Sequence, residues 1–203
     1  PYTTRQASSY DPASKEAGNE GWFANKDWGN FVREEVVSGR KEHVLIDVQG
    51  PGAMVRYWTP NPSGVTRIYI DGSPKPVVEA KTLDLLSGKV APFFPPMAEE
   101  TSKGWSLYCP ITYQKSLKVT VDDTDSDAGK NMYYQVQYRT YEKSVIVEAY
   151  NSSAVKDLHL PDKISHVPER VYPAVSQSAE LKPGQRTTVF NDRPIVIKSL
   201  VVM

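Results

Sequence analysis

Cysteine is almost missing from this 203-residue chain, since Cys109 stands alone and rules out an internal disulfide. Histidine is scarce too. His43, His159 and His166 are far apart in sequence, so neither a Cys/His zinc cluster nor a histidine-based triad has support. An excess of charge is also lacking. Lys plus Arg and Asp plus Glu are 24 each, and no basic stripe is visible, so no nucleic-acid partner is expected and no bulk field draws the chain to an anionic membrane. No apolar run reaches the length of a membrane span, and no internal repeat or low-complexity tract appears.

What the chain has instead is proline, tyrosine and short β-branched runs. The 16 prolines and 12 tyrosines fit a loop-rich β protein, and a chain of this length can bury about 70% of its unfolded surface. The densest signal is Val44 to Val48 followed by Ala53 to Thr59, with Gly50-Pro51-Gly52 between them. Proline fixes φ and the glycines free it on both sides, which makes a tight corner between strands. Further strands are expected at 66–71, 75–80, 116–122, 132–141 and 144–149. In Ser116 to Asp122, Leu117, Val119 and Val121 share one face, the period of a half-buried strand. The spacing predicts an all-β, antiparallel jelly-roll sandwich.

The flanking regions read differently. Residues 1–42 are polar yet carry Tyr2, Tyr10, Trp22, Phe23, Trp28 and Phe31, too many aromatics for a disordered tail. They are expected to form an extended arm lying on a sheet or on a neighbouring subunit, with a helical turn or two over 28–36. Residues 83–104, rich in Pro and Phe, predict a long excursion that closes the sandwich as a hydrophobic lid or shapes a ligand surface. The acidic stretch 122–131 lacks the glycine and glutamate of an EF-hand, so a solvated hairpin loop is favoured over a calcium site, and no cofactor is expected. The sandwich is assigned to 43–154, a linker to 155–177 and the start of a truncated second jelly roll to 178–203. The chain opens at Pro1 without a charged and apolar leader, which fits removal of a signal peptide and a secreted or periplasmic protein.

Asp47 to Trp58, then Arg67-Ile-Tyr-Ile-Asp-Gly72, then Tyr133-Tyr-Gln-Val-Gln-Tyr138, in that order, resemble the first half of glycoside hydrolase family 172, also labelled domain of unknown function 2961. Ser8 to Asp11 and Gly21 to Asp27 resemble the amino-terminal segment of its longer members. The resemblance covers about residues 5–150. It implies a carbohydrate-active protein acting on α-linked fructofuranosides or arabinofuranosides. It implies too a homo-oligomer built through jelly-roll faces, with an amino-terminal arm reaching a neighbour's site. Its catalytic glutamates fall in a stretch without counterpart here, so no catalytic residue is assigned and this chain alone is expected to be inactive. A non-catalytic carbohydrate-binding or assembly module is the alternative.

Two constellations have the chemistry to touch sugar, since aromatic faces stack on C–H groups while amides and carboxylates bond hydroxyls. The first is Trp22, Asn25, Asp27 and Trp28; its structural reading is that Trp22 and Phe23 anchor the arm while Asn25 and Asp27 cap a turn or helix. The second is Arg56 with Trp58 on one strand face, as a stacked platform, against the alternative of a buried Arg56–Asp47 pair bracing the corner.

Overall fold

The computed structural model describes residues 1–15, 17–18, 20–122 and 131–153. The strands are β1 Tyr2–Ser8, β2 Arg33–Val37, β3 Arg40–Gln49, β4 Gly52–Thr59, β5 Val65–Ile70, β6 Val78–Lys81, β7 Ala98–Thr101, β8 Gly104–Leu107, β9 Ile111–Tyr113, β10 Ser116–Asp122 and β11 Gln135–Tyr141, with one short helix, α1 Thr82–Leu86, among the described residues. Every pairing between them is antiparallel.

The Gly-Pro-Gly corner passes the chain from one sheet to the other. Gly50 takes φ +94°, and a Cβ at Gly52 would collide with the Arg139 carbonyl oxygen and the Tyr113 hydroxyl, so the sharp crossing requires glycine at both positions. Sheet A runs β1-β11-β4-β8-β7, with β9 beside β8 along the same edge of β4, and sheet B runs β2-β3-β10-β5-β6. Within them β1-β11-β4-β8 faces β3-β10-β5-β6, which is the strand order of an eight-stranded jelly roll. The inner faces supply Met54, Tyr57, Leu107, Ile111, Tyr113 and Val136 from sheet A and Ile46, Ile68, Leu117, Val119 and Val121 from sheet B. Each large side chain buried there contributes about 1.5–3 kcal/mol. Cys109 packs in this core, and burial pushes its thiol up to about 11.

The sandwich extends further toward the amino terminus than a detached arm would. β1 pairs with β11 over its whole length, from Tyr2 opposite Tyr141 to Ser8 opposite Gln135, so the start of the chain does lie on a sheet. The helical turn expected over 28–36 is not there. Its residues feed β2, because the two-residue Ser38-Gly39 turn, with φ of 51° and 79°, closes a hairpin that sets Val37 opposite Arg40. The strand expected at 144–149 is absent as well: Ile146 is 92% exposed, and single bonds from Val147 N to Gln114 Oε1 and from Tyr150 N to Thr112 O replace a ladder. The 83–104 excursion takes in most of α1 and all of β7 and ends where β8 begins. Leu85, Leu86 and Phe93 seal the core there, and Phe94 is exposed. The linker at 155–177, the start of a second jelly roll at 178–203 and positions 123–130 of the acidic loop lie outside the described residues.

On the outer face of sheet B the charges are paired. Arg67 donates from Nε to Glu79 at 2.8 Å and from Nη1 to Asp122 at 2.7 Å, with Glu42 3.7 Å away. The fully buried Glu42 carboxylate also accepts from Thr120 Oγ1 at 2.7 Å, Tyr69 OH at 3.2 Å and Arg40 at 3.2 Å. Arg33 ties Glu35 to Asp47, and Lys118 bonds Glu35 at 2.8 Å while lying over the Tyr69 ring. Removing the central cation strands two buried carboxylates, so Arg67→Ala is expected to cost about 3–5 kcal/mol in denaturant unfolding. A loss below about 1 kcal/mol would show that the network does not hold sheet B.

Candidate functional site

The outer face of sheet A is organised by register. Directly opposed residues share a face, and the pairs Trp58 with Gln135, Arg56 with Gln137, Trp58 with Ser106 and Glu99 with Ser106 place these side chains on one outward surface. Thr4 opposite Arg139, Gln6 opposite Gln137 and Tyr2 opposite Tyr141 continue it to the β1 edge.

At its centre Arg56 donates from Nη1 to Gln135 Oε1 at 2.9 Å, and its guanidinium carbon lies 5.7 Å from the centroid of the Trp58 ring. The indole is seated by a glycine: a Cβ on Gly104 would collide with Trp58 Nε1, so the β7–β8 hairpin brings bare backbone up to the ring. Tyr108 stands beside them, half exposed. The Ser106 hydroxyl, and after it Arg56, hold its phenol below the usual tyrosine range against an opposing effect of burial and of Glu99. Ser106 Oγ is itself buried with no partner at hydrogen-bond geometry among the described residues, so it acts on Tyr108 as a neighbouring dipole rather than through a formed bond.

Trp28 reaches the same end of the sheet. Its ring is 6.0 Å from that of Tyr133, two residues before Gln135, and Gly29 N donates to Met132 O at 3.0 Å to fix the arm there. Asn61 accepts from Tyr133 N at 3.0 Å and donates to Asn131 O at 2.7 Å, locking this turn. Trp22 stands apart, stacked on Phe23 at 4.7 Å, with 44% of Trp22 and 83% of Phe23 exposed. Asn25 is exposed. Asp27 accepts from Asp11 N at 2.7 Å, and Asp11 accepts from Ala13 N and Lys26 N, so one oxygen of Asp27 closes the arm loop. Those amides hold the Asp11 carboxyl below the usual range.

The structure therefore sets Arg56 and Trp58 on one face, with Trp28 against Tyr133 near the start of β11, and leaves Trp22 and Asn25 on the arm loop. The bracing Arg56–Asp47 pair does not form, because the corner sends Asp47 to sheet B, where Arg33 takes it. Gln135, Ser106, Tyr108 and Gly104 were not singled out from the sequence. The alternation through Gln135 to Arg139 marks the first of these as outward-facing. Nothing local marks Gly104 as the seat of an indole 46 residues away.

Other features close on themselves. A cleft of about 260 Å³ lined by Tyr10, Asn30, Phe31 and Tyr134 opens beside β1. Two of its polar groups are already used, Asn30 Nδ2 by Ser9 O and Tyr134 OH by Asn30 O. His43 is buried against Phe31, its Nδ1 3.2 Å from Glu34. Among the described residues no group of three or more His, Cys, Asp or Glu is placed to hold a metal ion, and no helix is long and apolar enough to cross a membrane.

The family described as GH172 first beta-sandwich domain matches residues 1–158, and the chain belongs to that family. No curated protein matches it. Membership makes the chain part of a carbohydrate-active protein, and the sandwich, the corner and the paired β4 and β11 all lie inside the matched region.

The seat of Trp58 is open to direct test. Gly104→Ala is expected to push the indole off the hairpin, lowering stability by about 1–3 kcal/mol and shifting tryptophan emission. A variant with the parent's melting temperature and spectrum would show that Trp58 does not rest on Gly104.

Proposed function

We propose that this chain is the sugar-facing wall of an α-furanoside hydrolase acting on fructofuranosides or arabinofuranosides, with the catalytic carboxyl pair supplied from outside it. The observation that carries this reading is the contrast between the two outer faces. Sheet B presents closed ion pairs, whereas sheet A presents Trp58, Tyr108, Trp28 and Tyr133 beside Arg56 and Gln135, the stacking and hydrogen-bonding set that pyranose and furanose rings require. Glycoside hydrolysis needs two carboxyls about 5–9.5 Å apart and open to the scissile bond. The buried carboxylates Glu42 and Asp122 face Arg67 instead, and among the described residues Glu99 is the carboxylate placed by register beside Ser106 on the sheet A face.

The exposed Trp22–Phe23 stack favours assembly as a second role: we assign it to packing on a neighbouring protomer in a homo-oligomer, where the adjacent Asn25 and Asp27 would border that protomer's sugar site. Since polymeric furanosides lie outside the cell, a secreted or periplasmic location accords with the same reading.

The full-length protein is expected to hydrolyse an α-linked furanoside while residues 1–203 alone do not. Trp58→Ala in the full-length protein is expected to lower kcat/KM at least 10-fold, about 1.4 kcal/mol, with the melting temperature held within a few degrees. Unchanged turnover, or a loss that merely follows unfolding, would remove Trp58 from the sugar-binding wall.

A further inference from the structure

Sheet A and sheet B treat their cations differently. Arg33, Arg40, Arg67 and Lys118 on sheet B each have a carboxylate within 3.2 Å. On sheet A, Arg56 and Arg139 have none within ion-pair distance among the described residues. Each instead lies over an aromatic ring, Arg56 over Trp58 at 5.7 Å and Arg139 over Tyr2 at 4.4 Å. Arg139 makes no hydrogen bond to a protein acceptor among the described residues, and its buried Nε stands without one. The ring contacts leave each guanidinium its positive charge, so two cations stand on a face lined also by Gln6, Gln135, Gln137 and Tyr108, with the carboxylate of Glu99 at its β7 edge.

Their placement selects the shape of the ligand. Arg56 lies opposite Gln137 and leans toward Trp58, which is opposite Gln135; Arg139 is two residues on from Gln137 and leans toward Tyr2, which is opposite Tyr141. The two cations therefore point apart along β11, separated by between two and six residues of strand, about 7–20 Å. One carboxylate cannot bridge that span. We propose that the outer face of sheet A binds an extended acidic glycan lying along β11, with uronate carboxylates taken by Arg56 and Arg139 and neutral hydroxyls by the glutamines between them. This rests on the reading of the face as a carbohydrate wall. It adds that the glycan bearing the furanosides also carries uronate residues, for whose carboxylates the planar guanidinium fork is the fitting partner.

The test is a calorimetric titration of the chain with a galacturonic acid hexasaccharide, its fully methyl-esterified neutral counterpart, galacturonic acid monosaccharide and a sulfated hexasaccharide. The acidic hexasaccharide is expected to bind at least 10-fold more tightly than the ester and the monosaccharide, and to weaken as salt rises from 0.05 to 0.5 M, a range chosen because screening shortens from roughly 14 to 4 Å across it. The double variant Arg56→Gln with Arg139→Gln is expected to abolish the preference for acid over ester. Arg56→Lys with Arg139→Lys is expected to keep part of it, and Lys118→Gln on sheet B to leave it unchanged. Equal binding of acid and ester, still sensitive to Trp58→Ala, would overturn the acidic ligand and leave the carbohydrate wall standing. Tighter binding of the sulfated than of the carboxylated sugar would overturn the carboxylate assignment. If no sugar binds and the Arg double variant instead changes the oligomeric mass in sedimentation, the cations pair with protein and the inference fails.

Discussion

The ladder between β4 and β11 carries the rest of the molecule. It sets Trp58 opposite Gln135 and Arg56 opposite Gln137, then admits Val55 as one extra residue before Met54 meets Tyr138. Because the side-chain period of a strand is two, an extra residue at that point inverts which faces pair beyond it. Tyr57 and Met54 thus both reach the core although three residues apart, while Arg56 and Trp58 stay outside. The matching irregularity between β3 and β10 spares Leu45, which together with Ile46 is buried inward. The corner at Gly52 is the second half of the same constraint, since the Arg139 carbonyl of β11 and Tyr113 of β9 close on it from either side.

From this frame follow two unlike surfaces. On sheet B, burial of Glu42, Arg67 and Asp122 is tolerated because each charge finds both an opposite charge and further hydrogen bonds. Among the described residues, the charges named on that surface are all paired. On sheet A the guanidiniums lie over aromatic rings, the Ser106 hydroxyl has no partner among the described residues, Tyr108 and Tyr133 are exposed, and Trp58 is half-buried. A sandwich of this type needs its inner faces to fold and can spend an outer face on recognition.

Much of the fold could be read from the chain. The Gly-Pro-Gly corner, the period of Leu117, Val119 and Val121 and the strands at β3, β4, β5 and β10 follow from local sequence, and the family resemblance was visible in Asp47 to Trp58. The helical turn expected over 28–36 gives way to β2, because the Ser38-Gly39 turn closes residues 33–37 onto β3 as a hairpin. The segment 144–149 has the composition of a strand yet forms no ladder among the described residues, so composition misled where pairing decides. Arg56 and Trp58 were legible as a stacked pair because they are two apart on one strand. Their partners Gln135 and Tyr108 come from distant strands, and only the register brings them in.

Nuclear magnetic resonance of the four tryptophan indoles during titration with an α-arabinofuranoside oligosaccharide addresses the assignment of recognition to sheet A most directly. Trp58 and Trp28 border the outer face, whereas Trp105 packs against the core from the same sheet. The indole signals of Trp58 and Trp28 should move with added sugar while that of Trp105 and the backbone amides of Tyr69 and Lys118 on sheet B stay fixed. Shifts confined to sheet B, with Trp58 unmoved at saturation, would contradict the account.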